Sequence, residues 1–277
     1  MSGAGLRKFV QFGWNQALCC AFPVVIFAAL GVTKWLGSPL IPRYDLILVL
    51  CIAAQAAMVL LKLETADELK VITLFHVIGL GLELFKVHMG SWAYPEDAWT
   101  KVAGVPLYSG FMYASVASYI CQAWRRFELR FQAWPHPYAA VGLATLIYAN
   151  FFTHHVIPDL RWLLMLGLVA LFSRTWVSFA VGGRPYRMHA VVSFALIAFF
   201  IWLAENISTL LGAWRYPNQA TRWDWVHWGK MSSWFLLVII SIIIVAQLKD
   251  LKYRVLPRAA GAIRKGEAEA EAPPRRG

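Results

Sequence analysis

The chain has 277 residues, of which 59% are hydrophobic and only 15% charged, with 14 Trp and a formal net charge of +11. That balance is too apolar for one soluble domain and points to a polytopic membrane protein whose main solvent is lipid. The basic surplus falls in connections and a tail, without an RNP-type or recognition-helix pattern, so it is a topology signal and nucleic acid is not an expected partner.

A bilayer crossing takes about 20 predominantly apolar residues. On that ruler the sequence predicts an all-α bundle of eight transmembrane helices. Arg7 and Lys8 precede the first apolar segment as they would in a signal peptide, but the segment runs on to about residue 36 with no small-residue cleavage site, so it is an uncleaved span over 16–36. After "GSPLIPRYD" come spans at 44–62 and 69–88, then 104–123. "WRRFELRFQAWPHP" leads to 137–154, "HHVIPD" to 159–180 and "GGRPYR" to 188–210, with a last span at 230–249. Cys19, Cys20, Cys51 and Cys121 lie inside these segments without C-x-x-C spacing and read as small packing residues. The tail over 253–277 is small and charged, ends in Pro and Arg, and is expected to be a disordered cytoplasmic segment.

Cytoplasmic connections carry the Lys and Arg excess. An N-in, C-in arrangement puts 18 of the 26 basic residues inside, including Arg125, Arg126, Arg130, Arg184, Arg187 and the eight from Lys249 onward.

The stretch "ELFKVHMGSWAYP", beginning at Glu83, recurs as "ENISTLLGAWRYP" at Glu205, both fitting E-x6-G-[SA]-W-x-Y-P. The pairing aligns Trp92 with Trp214 and Tyr94 with Tyr216. The expected organisation is a duplicated four-helix unit, 1–130 and 131–252. Four spans per unit make the repeats parallel and place both turns on the outer face. Interfacial belts enrich Trp and Tyr anyway, but they do not explain a carboxylate within a span, which costs roughly 2.5 to 3.5 kcal/mol to insert.

Each Glu lies seven residues, about 10 Å of helix rise, before the Gly that ends its span. His76 at i−7 and Gly79 at i−4 share the face of Glu83, and Lys86 at i+3 can pair with it or snorkel outward. Asn206 adds polarity beside Glu205. The expected site is a pseudo-symmetric polar pocket with Glu83, Glu205 and His76 as catalytic candidates, roofed by Trp92, Tyr94, Trp214 and Tyr216, with Lys86 and Asn206 as further binding groups. On the alternative reading the two Glu simply hold the aromatic turns in place. His154 and His155, with His88 and His227, gather near one face but lack H-x3-H or H-E-x-x-H spacing, so no metal and no cofactor is expected. No Walker loop, G-x-G-x-x-G or G-x-S-x-G motif is present.

The runs "FHVIGLGLELFKVHMGSWAYPE" and "GVPLYSGFMYASVASYICQAWRR", in a chain of eight predicted spans, resemble the YoaT-like family of bacterial integral membrane proteins of unknown function, over nearly everything before the tail. The resemblance implies a multi-pass protein of the bacterial inner membrane and carries no catalytic role with it. A remoter likeness rests on the intramembrane Glu, the G-x-W-x-Y turn and the "GVPLYSG" run from Gly104. It is to membrane carotenoid hydratases and cyclases, and it implies a carboxylic acid acting on a long polyene; the second copy has "VHWGKMSSW" in place of the G-V-P run.

Three functions follow as expectations. The first is an enzyme or binding protein for a lipophilic, isoprenoid-like molecule, with a Glu as general acid. The others are a secondary transporter with Glu-coupled protons and a non-catalytic assembly factor. Substrate and oligomeric state stay open.

Overall fold

The structure, a computed structural model, describes residues 3–37 and 40–246. The expected tail and the last residues of the eighth predicted span lie outside them. The described chain is mostly helical, and three helices are long and apolar enough to cross a membrane, or four if a bent pair counts as one span.

That bent pair is α1 (Gly3–Cys19) and α2 (Ala21–Leu36), which meet at 64°. One straight span over 16–36 is therefore corrected. Pro23, in the first turn of α2, has no N–H to give to the Cys19 carbonyl, and its ring cannot pack against it, so the helix breaks there. Next come α3 (Arg43–Leu60) and α4 (Ala66–His88). The latter begins earlier than its apolar run because Thr65 and Glu68 form a capping box. The Glu68 N–H donates to the Thr65 hydroxyl oxygen at 3.2 Å, and the Thr65 N–H donates to the Glu68 carboxylate at 2.8 Å.

The predicted fourth span, 104–123, starts with a small hairpin, β1 (Lys101–Val102) and β2 (Val105–Pro106), and only then becomes helix α5 (Ser109–Arg126). Strand β3 (Arg130–Gln132), α6 (Pro137–Thr153) and α7 (Arg161–Leu171) follow.

Here the all-α expectation also needs correction. The sixth span, predicted over 159–180, is helical only to Leu171, about 16 Å of rise. Trp176–Val181 is strand β4, which turns through Gly182 and Gly183, both at positive φ, into β5 (Arg184–His189). The apolar residues of β4 alternate, Val177, Phe179 and Val181 on one face and Ser178 and Ala180 on the other, and the Gly-Gly pair supplies the left-handed backbone that a tight hairpin requires. β3 joins the other edge of β4, giving an antiparallel sheet in the order β3-β4-β5. The last described helices are α8 (Ala190–Leu210) and α9 (Lys230–Ala246).

Packing is closest between α4 and α5. A Cβ on Gly79 would lie within 2.5 Å of the Tyr113 Cβ, and one on Gly110 would lie 2.8 Å from the His76 carbonyl oxygen. Small residues thus let the two backbones approach as side chains of ordinary size would not. At the end of the bundle carrying the two turns, Tyr44, Tyr94 and Tyr108 form a buried cluster with ring centroids 5.2 to 6.1 Å apart. Arg43 ties this end together. Its guanidinium donates to Glu96 at 2.6 Å, to the Leu211 carbonyl at 2.6 Å and to the Leu30 carbonyl at 3.1 Å, so a charge-assisted fork closes the C-terminal ends of α2 and α8.

Candidate functional site

Helices α4 and α8 end in the same way. The Gly90 N–H bonds the Val87 carbonyl at 3.0 Å and the Ser91 N–H that of Lys86 at 2.9 Å; Gly212 and Ala213 repeat this on Thr209 and Ser208 at 3.0 and 2.9 Å. Each is a Schellman motif that needs a left-handed residue after the helix, and Gly90 (φ 69°) and Gly212 (φ 79°) provide it. The chain then reverses and carries Trp-x-Tyr back along the helix it has just left.

The consequence is a matched pair of carboxylate cages. Glu83 accepts from the Trp92 indole at 2.7 Å and the Tyr94 hydroxyl at 2.8 Å on one oxygen, and from the Tyr113 hydroxyl at 2.9 Å on the other. Glu205 accepts from the Tyr216 hydroxyl on one oxygen and from the Trp234 indole at 2.7 Å on the other. Both carboxyls are buried. In each case a Tyr eleven residues downstream donates, and a second donor comes from the helix after the turn, α5 or α9. The turns meet through the backbone. Ala93 and Arg215, which occupy the same place in the two G-x-W-x-Y-P stretches, exchange two N–H···O bonds of 2.9 Å each. Beside this seam Trp92 meets Tyr216 edge-on at 5.9 Å, and the Lys230 ammonium lies 5.0 and 4.6 Å from those two ring centroids.

A cavity of about 990 Å³ opens below, and Glu83, Glu205, Trp92, Trp214 and Tyr216 are all in its wall. Its other end reaches Phe131, Val177 and Phe179, so the apolar face of the β3-β4-β5 sheet forms its floor. Between these ends the wall is mainly aliphatic and aromatic, and at its edge stand Val24 of α2 and Phe200 of α8, 56% and 64% exposed. The cavity therefore opens sideways onto the apolar outer surface of the bundle.

The remaining predicted residues are distributed as follows. Lys86 lines the cavity but neither pairs with Glu83 nor snorkels. Its buried ammonium donates to the Phe151 carbonyl at 3.1 Å, lies 3.0 Å from His155 Nε2 and 3.4 Å from His154 Nε2, and sits over the Phe151 ring at 4.1 Å. In the connection after α6, burial and the Lys86 charge hold the His155 imidazole below its ordinary range, leaving a ring nitrogen free to accept. His76 lies outside the cavity wall, edge-on to Phe111 at 4.5 Å, with its buried Nδ1 lacking a hydrogen-bond partner. Asn206 accepts from the Val226 N–H at 2.9 Å and donates to the Trp202 carbonyl at 2.8 Å, so it fixes the segment before α9. Among the described residues no group of three or more His, Cys, Asp or Glu could hold a metal ion.

Tyr113, Trp234 and Lys230 complete the site and were not singled out by sequence. A Tyr or Trp in an apolar helix is a weak signal alone; what Tyr113 and Trp234 share is that each lies in the helix that follows a Glu-bearing helix and its G-x-W-x-Y-P turn.

Comparison with known proteins settles the kinship of this arrangement. A family described as "Protein of unknown function (DUF817)" matches residues 8–242. The chain belongs to the DUF817 family. Within it, the chain is 59% identical over 247 residues to "Uncharacterized protein YoaT" of Bacillus subtilis (strain 168), covering 89% of this chain and 94% of that relative. The YoaT-like resemblance is thus established, and no solved structure matches. The paired carboxylates belong to the DUF817 region, since all their donors fall within the matched residues.

Proposed function

We propose that this DUF817 protein is a multi-pass protein of the bacterial inner membrane that binds, and acts as an acid catalyst on, a lipophilic, isoprenoid-like small molecule held against Glu83 and Glu205. The observation that carries the reading is the pair of caged carboxyls facing one cavity that opens sideways to the apolar surface. Carboxyls inside membrane spans are costly and mark function by default. A lateral opening suits a substrate dissolved in lipid, whereas a water-soluble one would call for an aqueous vestibule.

The proposed architecture is eight segments in two parallel four-helix halves, 1–130 and 131–252, with both termini inside. The reciprocal Ala93–Arg215 bonds support a local two-fold relation between the halves, because equivalent residues pair only about such an axis. In this arrangement α7 crosses part of the thickness and the sheet below it makes up the rest. The exposed Arg130, Arg184 and Arg187 keep the free edges of that sheet at the inner interface, where water can satisfy their backbone groups.

As a proton donor, Glu83 held by Tyr94 and Tyr113, or Glu205 held by Tyr216, would give its proton to a double bond, whose π pair forms the new C–H bond. The carbocation left then returns a neighbouring proton to the carboxylate, or takes up a water that releases one to it. The test is lipid analysis of a deletion strain complemented with wild type, Glu83→Gln or Glu205→Gln. An isoprenoid or other lipid product restored by wild type and lost in at least one variant is expected. An unchanged lipid profile in both variants, with normal protein levels, sinks the reading.

A further inference from the structure

Two ammonium groups face the cavity without a carboxylate partner. Among the described residues the Lys230 ammonium has no hydrogen bond and no ion pair, and it lies against the faces of Trp92 and Tyr216. Lys86, despite its position one turn from Glu83, points to a carbonyl and two imidazoles. The two are near enough for their charges to repel, and Arg161 joins them in the wall. Both carboxylates are meanwhile occupied, Glu83 by three donors and Glu205 by two, so neither needs a lysine to satisfy its oxygens. Glu205 and Asp159 act on Lys230 and Lys86 only from beyond ion-pair distance, and Arg161 is paired with Asp159. Neither buried ammonium therefore has a directly bonded counter-ion, an expensive arrangement that a bound anion relieves.

The rest of the cavity indicates what accompanies that charge. Along α5 its wall runs from Met112 to Phe127, about 22 Å of helix. That is most of the ~30 Å hydrocarbon thickness. Beyond the polar end the wall is apolar down to Phe12, Phe127 and Phe179. A flat or compact ligand would leave most of this length empty, while a single extended chain fills it.

The geometry points to a ligand that is a long-chain amphiphile with an anionic head, a carboxylate or a phosphate, which Lys230 and Lys86 receive while the chain lies along α5 toward the sheet. Lys230 is the principal anchor, since all three of its N–H donors are unspent. This inference rests on the reading of the cavity as a lipophile site and names the class of its occupant.

Full-length protein in nanodiscs, titrated with labelled oleate, oleyl phosphate and oleyl alcohol, tests it. The three probes share one chain and differ in the head. Oleate or oleyl phosphate is expected to bind about tenfold or more tighter than the alcohol, the ratio for a charge-assisted hydrogen bond, and whichever of the two is tighter identifies the head. Lys230→Met should erase the preference, with its elution profile and unfolding temperature showing that the variant is folded, and Lys230→Arg should retain it. Acid and phosphate binding no tighter than alcohol, or a preference that survives in the Lys230→Met, Lys86→Met double variant, overturns the headgroup assignment alone. Failure of all three probes to bind overturns the lipophile reading with it.

Discussion

Glu64 shows how a buried carboxylate behaves when it serves structure. It sits in the turn between α3 and α4, where Ser118 of α5 and Gln55 of α3 both donate to it. Burial pushes its carboxyl above the ordinary range, against the pull of those two bonds and of Arg125. The native state therefore holds this proton more tightly than the unfolded chain does. Stability linked to Glu64 rises as pH falls through the raised value toward the ordinary 4.5, and the cost of the charge is fully present above that window. Gln55 Oε1 is buried and lacks a partner, so in a Glu64→Gln variant the Gln55 amide can flip and accept from the new amide while Ser118 still donates. Thermal unfolding in detergent should show Glu64→Gln at least as stable as wild type at pH 8, the difference shrinking toward pH 5. A variant less stable at pH 8 would mean that the charge itself holds the turn. Trp92 and Tyr94 were legible as partners of Glu83 because one helix end and one glycine fix their return. Tyr113 and Trp234 were not, because their reach depends on how far α5 and α9 slide past their neighbours, a quantity no single-segment pattern contains.

Among the elements, the α4–α5 pair has the tightest tolerance. Gly79 faces the Cβ and ring of Tyr113, so a methyl group at 79 meets atoms near the α5 backbone that cannot swing aside. Gly79→Ala should cost about 1–3 kcal/mol or more, as overpacking does. It should also displace the Tyr113 hydroxyl from Glu83, read as a lower unfolding temperature and a changed tyrosine signal on ligand titration. Unchanged stability would show that the helices separate freely. Most helices were legible from apolar length and loop punctuation, and their observed bounds lie within a few residues of those predicted. The failures have local causes. Pro23 was counted inside an apolar run although it forbids a straight helix. In 172–181, mean hydropathy resembles a span while the alternation of Val177, Phe179 and Val181 obeys a strand period.

At the scale of the whole molecule, the sheet and the seam mark opposite ends. The proposed topology places the loop after α6 outside and the β4–β5 turn inside. Val156 is 86% exposed, Arg184 is also exposed, Cys19, Cys51 and Cys121 are buried, and Cys20 is half-buried, so background labelling should be low. In intact cells a membrane-impermeant maleimide should modify Val156→Cys, and Arg184→Cys only after permeabilisation. The reverse pattern, or equal labelling of both, rules the topology out. The match between the two turns was legible because it preserves chemistry, Glu, Trp and Tyr at fixed spacing. The lateral opening was not, since it depends on which α2 and α8 residues, Val24 and Phe200 among them, both line the cavity and stay exposed.

The hydrogen bonds that join the two turns are made of peptide groups, with the Trp92–Tyr216 contact beside them. Ala93 and Arg215 contribute an N–H and a carbonyl each and nothing else to those bonds, and a methyl group and a guanidinium are about as unlike as two side chains can be. The two residues at that step are therefore free to differ, proline apart, which has no N–H to give. Their side chains can change while the two carboxyl cages keep their alignment.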